Sequence, residues 1–200
     1  MQNLDQIDDG DDGTVFRDVI MLALLGFVTI VILLLPHINP PVEANEPSQP
    51  PGNVIVELRW PDDLDADVDL WVEAPGDMPV GYSNKGGRIF NLLRDDLGNT
   101  NDATKLNYEV AYSRGIPAGE YTVNLHLYRS KNRYLPIPAV VAVGIKADRD
   151  TALLPIATSN VKLVRVGQEI TVVRFSIDER GMLVPGSIHE LQRELRAARR

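Results

Sequence analysis

One carboxylate stands inside the first turn of the only long apolar run in this chain. Asp18 lies in VFRDVIMLALLGFVTIVILLLP, residues 15–36, and no charged residue follows it within that run. A carboxylate at membrane depth is costly unless protein surrounds it, and movement between a wet path and an apolar interface lets it load and release a proton. Asp18 is therefore a candidate ion-carrying residue. Alternatively, Asp18 is the last polar residue before the membrane and is solvated by lipid headgroups.

A second group of carboxylates alternates along DLDADVDLWVEA, residues 63–74. Asp65, Asp67 and Asp69 line one face of a predicted strand, about 7 Å apart. A hard cation such as Ca²⁺ can bridge these carboxylates if loop oxygens, such as those of Asn84, complete six or more ligands. A solvated edge strand protected by charge has the same pattern, so both interpretations remain open.

The histidines and glycines do not form an enzyme motif. His37, His126 and His189 are far apart in the sequence, and neither a Ser-His-Asp order nor a nucleophile elbow is present. The short NKGGR stretch, residues 84–88, lacks the strand-to-helix context of a phosphate loop. We therefore predict no catalytic residue and no enzyme activity.

Composition narrows the class of protein further. The chain has 200 residues, a net charge of −8 and no cysteine. The net negative charge argues against a nucleic-acid-binding protein, because phosphate binding needs clustered lysine and arginine. The absence of cysteine excludes a disulfide framework and a thiolate metal site. The length suffices for one membrane segment and one domain.

The apolar run predicts a transmembrane helix over residues 15–38, preceded by an acidic N-terminus at 1–14. The leader is acidic and no small-residue cleavage site follows, so we expect an uncleaved anchor. Arg17 on the N-terminal flank predicts a cytoplasmic N-terminus, with the remaining chain on the opposite side of the membrane. Residues 39–53 are rich in proline and predict an extended, semi-rigid linker.

Short alternating runs bounded by Gly, Pro, Asn and Asp fill residues 54–180 and predict an antiparallel β-sandwich. The last two predicted strands are joined at Gly167-Gln168, which indicates a hairpin turn. Trp60 and Trp71 are candidates for an exposed contact surface, although either can equally belong to the core.

Residues 181–200 predict a C-terminal helix. Ser187 and Glu190 have capping-box spacing, and arginines crowd the last turn. Ile188, Leu191 and Leu195 form one apolar stripe. The helix either packs on the sandwich or contacts an acidic partner or anionic surface.

The segment FRDVIMLALL resembles the single transmembrane helix of the ExbD, TolR and MotB proteins, in which an aromatic residue and an Asp precede an unbroken apolar run. The resemblance implies an inner-membrane subunit of an ion-driven rotary motor of 5:2 type. In such motors a homodimer of these helices sits inside a pentamer of multi-pass ExbB/TolQ/MotA-like subunits. It also implies that Asp18 takes up and releases H⁺ or Na⁺.

Two further sequence patterns concern the packing of the membrane helix and the role of the β-domain. Ala23, Gly26 and Thr29 recur at three-residue spacing and predict a helix-packing face. The segment DLDADVDLWVEAPGDMPVGYSNKGG, residues 63–87, resembles uncharacterised bacterial β-sandwich domains, which implies a location outside the cytoplasm. The alternative function is a passive, membrane-tethered binding module for an envelope glycan or protein.

Overall fold

The computed structural model describes residues 11–38, 52–98, 106–131, 134–146 and 151–196, with the side chains of 15–34 in the first range. The chain divides into two units, Met1–Gln49 and Pro50–Arg200. The described residues of the first unit form one helix, and the second unit contains all of the described β-strands.

The helix α1, Asp11–Ile38, has 28 residues, which corresponds to about 42 Å along its axis. Its segment Val15–Leu34 is the one described helix long and apolar enough to cross a membrane. The helix begins before the predicted membrane segment because the polar residues ahead of it continue the same helical turns. This finding agrees with the predicted single spanning segment.

The described residues of the second unit form eight strands, and all of their pairings are antiparallel. Their bounds are β1 Val54–Arg59, β2 Ala66–Glu73, β3 Phe90–Arg94, β4 Tyr108–Ser113, β5 Gly119–Ser130, β6 Ile137–Ile145, β7 Leu154–Leu163 and β8 Glu169–Ile177. One sheet has the order β3-β4-β1-β6-β7, and the other has the order β2-β5-β8. The antiparallel β body agrees with the predicted fold class.

The core lies between the two sheets and draws alternate side chains from both. Leu58 of β1 and Leu70 of β2 are fully buried in the same cluster. Tyr121 of β5 stacks on Phe175 of β8 with ring centroids 5.1 Å apart, and its hydroxyl donates to the carbonyl of Pro117 at 2.8 Å. Apolar residues at period two therefore face inward, as the strand pattern predicts.

The predicted hairpin at Gly167-Gln168 is wrong. The strands β7 and β8 belong to different sheets, so the chain crosses from one sheet to the other at this turn. The turn is held by backbone hydrogen bonds that join Gly167 and Gln168 to Leu127 of β5. A positive φ of 80° at Gly167 permits the sharp change of direction.

The predicted C-terminal helix is also wrong for residues 181–196, which are extended chain and turns. His189 exchanges backbone hydrogen bonds of 2.7 and 3.0 Å with Arg174 of β8. The hydroxyl of Ser187 does not cap a helix, since it accepts the N–H of Ser176 at 3.0 Å and donates to the carbonyl of Val184 at 2.7 Å. Buried polar side chains of the sheet bind the backbone of this tail, and a helix would use those backbone groups internally.

Candidate functional sites

The candidate ion-carrying residue lies inside the spanning segment of α1. Asp18 is three residues after Val15, the first residue of that segment, and therefore about 4.5 Å along the axis. Its side chain is exposed, as are all described side chains of the helix. Within the described chain, the carboxylate therefore has no protein surroundings that would lower its cost in lipid.

The three predicted helix-packing residues leave room for another helix. A Cβ added at Gly26 meets nothing within 4 Å. The hydroxyl of Thr29 donates to the carbonyl of Leu25 at 2.8 Å, so it is satisfied inside its own helix. Ala23 lies one turn before Gly26, and all three residues are exposed.

The acidic strand β2 alternates as predicted, but both of its faces are buried. Its inward face packs in the core and consists of Val68, Leu70 and Val72. Its outer face consists of Asp67, Asp69, Trp71 and Glu73, of which the first three are buried. The expectation of a solvated acidic edge is therefore not met.

A C-terminal strap, defined here as residues 187–196, lies against the smaller sheet on this side. The carbonyl of Arg193 accepts hydrogen bonds from Asn124 at 2.6 Å and from the hydroxyl of Thr171 at 3.1 Å. The guanidinium of Arg193 lies 2.6 Å from the carboxylate of Glu73. The strap thus contacts all three strands of the smaller sheet and excludes water from their polar residues.

Both tryptophans are buried and offer no exposed contact surface. Trp60 is 4% exposed and Trp71 is 2% exposed. The indole N–H of Trp60 donates to the carbonyl of Ala66 at 3.1 Å. The ring of Trp71 meets Tyr82 edge to face, with centroids 5.6 Å apart.

Two of the four predicted cation ligands have other partners. Asp65 forms ion pairs with Arg129 at 3.0 Å and with Lys131 at 3.1 Å, and these partners lower its pKa against the opposing effect of burial. The amide of Asn84 donates to the carbonyl of Pro79 at 2.9 Å and helps to hold a turn. The structure therefore leaves Asp67 and Asp69 as the buried carboxylates of this strand.

Asp69 and Asp67 differ in their partners. The Oδ2 atom of Asp69 lies 2.7 Å from Nδ1 of His126 on β5, and both residues are buried. Burial raises the pKa of Asp69, while the bond to His126 opposes that rise. Oδ1 of Asp67 is buried without a hydrogen-bond partner, and burial together with the charge of Asp69 raises the pKa of Asp67 to about 7.

Two carboxylates that the sequence analysis missed stand beside Asp69. One oxygen from each of Asp69, Asp95 and Glu109 lies within 4.8 Å of the other two. Glu109 is fully buried, and burial raises its pKa well above the ordinary value. Its two oxygens accept the backbone N–H groups of Leu70 at 2.7 Å and of Asp96 at 3.0 Å.

The sequence offered one weak signal for Glu109 and none for Asp95. In LNYEVAYS, residues 106–113, Glu109 shares the period-two face of Ala111, which is apolar and buried. An acidic residue on a core-facing position is uncommon and has a structural or functional reason. Asp95 follows β3 in a connection whose path the sequence does not specify.

Comparison of the chain with family models, with curated proteins and with solved structures finds no match.

Proposed function

We propose that this chain is a single-pass subunit of an ion-driven membrane motor, in which Asp18 carries H⁺ or Na⁺. The observation that carries the proposal is the position of Asp18, the one carboxylate within a span of 20 residues whose one other charged residue is the adjacent Arg17. The resemblance of residues 16–25 to the ExbD, TolR and MotB helices supports the same role.

The physical argument is the cost of an unaccompanied carboxylate in lipid. A charged side chain at membrane depth is tolerated where it faces other protein or water, and such residues mark ion pathways. Asp18 therefore needs partner helices around it. A ring of multi-pass subunits supplies an apolar interface on one side and a wet access path on the other, and passage between them loads and unloads the ion.

The proposed assembly contains two copies of this helix. Thr29 comes eleven residues after Asp18, which is three turns and about 20° of rotation, so both point to nearly the same side. Gly26 lies about 80° away from Asp18 on the same calculation. Ala23, Gly26 and Thr29 together span about 120° of the helix surface. Small residues there allow close contact between helix backbones, and the rest of the surface remains available to the pentamer.

The proposal places the N-terminus in the cytoplasm and the β body in the periplasm of a bacterial inner membrane. Its support is Arg17 on the N-terminal flank, since positive charge favours the cytoplasmic side. The proline-rich residues 39–53 then transmit tension to the β body better than a flexible linker does. The β body in turn binds an envelope component.

The helix pair is tested by disulfide crosslinking in native membranes. The chain contains no cysteine, so single-cysteine variants report one position each. Gly26→Cys should form crosslinked dimers on mild oxidation. Val28→Cys is the control, because two residues turn the side chain by about 200° to the opposite face. Equal crosslinking at both positions, or none at Gly26→Cys, would contradict the proposed pair.

One observation favours the second candidate function, a passive tethered module that binds an envelope glycan or protein. Tyr128 is 54% exposed and lies at the end of a row of aromatic rings. Its ring centroid is 6.1 Å from that of Tyr82, which in turn contacts Trp71. An exposed aromatic residue supported by others is a common feature of binding surfaces. This function does not require titration of Asp18.

A further inference from the structure

The open edge of β2 brings together three carboxylates from different parts of the chain. Asp69 comes from β2, Glu109 comes from β4 and Asp95 comes from the connection after β3. One oxygen from each lies within 4.8 Å of the others. Ca²⁺ binds oxygens at about 2.3–2.6 Å, so two ligands on opposite sides of the ion are about 5 Å apart at most. The spacing of these oxygens suits one shared ion.

The charges of the three carboxylates are only partly balanced by protein. Asp69 has His126 at 2.7 Å, and Asp95 has Lys85 at 2.8 Å, whose side chain is 58% exposed. The described hydrogen-bond partners of Glu109 are two backbone N–H groups, which orient the carboxylate without neutralising it. Such N–H groups fix a metal ligand in place in the same way.

A fourth carboxylate supplies independent evidence that a positively charged partner belongs here. Asp67 is 4% exposed, and its Oδ1 has no hydrogen-bond partner. It lies on the same face of β2 as Asp69, and Oδ1 of Asp95 is likewise buried without a hydrogen-bond partner. A buried carboxylate oxygen without a donor is costly, and a nearby cation removes that cost.

We propose that Asp69, Asp95 and Glu109 bind one Ca²⁺ ion, with Asp67 on the same face of β2 as Asp69. The oxygen-only ligand set suits a hard cation, and water or the second carboxylate oxygens complete the coordination of six to eight that Ca²⁺ requires. Asp95 lies on the solvent-accessible side of the site, since its side chain is 13% exposed. This ligand set replaces Asp65 and Asn84 of the sequence-based expectation, and the site does not depend on the proposed motor function.

The test uses the full-length chain in detergent micelles, after treatment with a chelator. Calorimetric titration with Ca²⁺ should show saturable binding. Thermal unfolding followed by circular dichroism should show a midpoint raised by about 5–10 °C when Ca²⁺ is a hundredfold above its Kd. No binding and no shift at millimolar Ca²⁺ would overturn the site.

Two variants separate the site from a general effect of acidic charge. Asp95→Asn should weaken Ca²⁺ binding at least tenfold. Asp65→Asn is the matched control, because Asp65 is also acidic and also pairs with a lysine, and it should bind Ca²⁺ as the parent chain does. Equal weakening in both variants would contradict the assignment.

A spectroscopic readout keeps the test independent of stability. Tb³⁺ occupies Ca²⁺ sites and emits when a nearby tryptophan is excited. Trp71 is two residues after Asp69 on the same face of β2, about 7 Å along the strand. Sensitised emission that Ca²⁺ displaces is expected from the parent chain and from Asp65→Asn. Undiminished emission from Asp69→Asn would contradict the proposal.

Discussion

The carboxylate of Glu109 accepts the backbone N–H of Leu70 at 2.7 Å and joins the two sheets where β2 has no neighbouring strand. Leu70 belongs to the smaller sheet and Glu109 to the larger one. An unpaired N–H on an edge strand invites pairing with another chain or costs free energy when buried. Glu109 meets that need with a side chain and leaves its carboxyl group beside Asp69.

Replacing Glu109 tests this link between the sheets. Glu109→Ala removes the acceptor of two buried N–H groups, at about 1–3 kcal/mol each, so the free energy of unfolding should fall by at least about 2 kcal/mol. Urea unfolding of the full-length chain with chelator present measures the loss. Glu57→Ala on β1, whose side chain is half-buried, is the control. An equal loss in both variants would contradict the edge role of Glu109.

The C-terminal strap should contribute stability through one leucine. Leu195 is fully buried, whereas Leu191 is 68% exposed. Leu195→Ala should cost about 2–4 kcal/mol, the usual range for a core leucine, and Leu191→Ala should change stability by no more than about 0.5 kcal/mol. Denaturant midpoints of the two variants measure the difference. A pair of equal midpoints would mean that the strap is not packed on the sheet.

Glu120 anchors the strap and should make the β body sensitive to acid. Its carboxylate is bonded to Arg174, lies 3.3 Å from His189 and lies 3.8 Å from Arg193. The hydrogen bond with Arg174 is the first cause that lowers the pKa of Glu120 below its ordinary value of 4.5. A lowered pKa stabilises the fold above pH 4.5, and this contribution is lost as the pH falls through the folded-state value.

Glu120→Gln removes that titration. The variant should therefore be less stable than the parent chain near neutral pH, and its midpoint should decline less as the pH is lowered below about 4.5. Thermal midpoints between neutral pH and pH 3 provide the comparison. Thermal midpoints that decline in parallel with pH in the two proteins would show that titration of Glu120 does not cause the acid sensitivity.

Gly98 holds the connection that carries Asp95 against β2. It has φ of +67°, and a Cβ there would lie 2.7 Å from the carbonyl oxygen of Ala66. Gly76 has nearly the same φ, +66°, with nothing within 4 Å of the added atom. Both substitutions by alanine cost about 1–3 kcal/mol of backbone strain, and Gly98→Ala should cost more and weaken Ca²⁺ binding. Identical unfolding curves for the two variants would contradict the close approach.

The alternation in residues 67–73 was predictable because a strand has a fixed period of two. The sequence correctly separates Val68, Leu70 and Val72 from the acidic residues between them. It does not reveal that the acidic face is covered, because its partners lie far along the chain: His126 contacts Asp69 and Arg193 contacts Glu73. Burial of Asp67 and Asp69 is a consequence of tertiary contacts that local pattern does not encode.

The C-terminal strap shows the same limit of sequence-based prediction, because a predicted helix does not form there. Ser187, Ile188, Leu191 and Leu195 have helical spacing, and the propensity of an isolated segment favours a helix. Thr171 and Asn124 on the sheet instead bind the backbone of Arg193. Satisfying those buried groups outweighs the weak preference of the segment. Glu109 and Asp95 escaped notice because the carboxylates that lie beside each of them come from distant parts of the sequence.

The role of Asp18 is measured most directly by ion flux. The complex is purified through this chain from native membranes, reconstituted in liposomes and loaded with a pH-sensitive or Na⁺-sensitive dye. Asp18→Asn keeps the size of the side chain and removes its titration, while Asp12→Asn changes an acid outside the spanning segment. We predict flux in the parent complex and in Asp12→Asn, with loss of flux in Asp18→Asn although the complex stays assembled. Undiminished flux through Asp18→Asn would contradict the account.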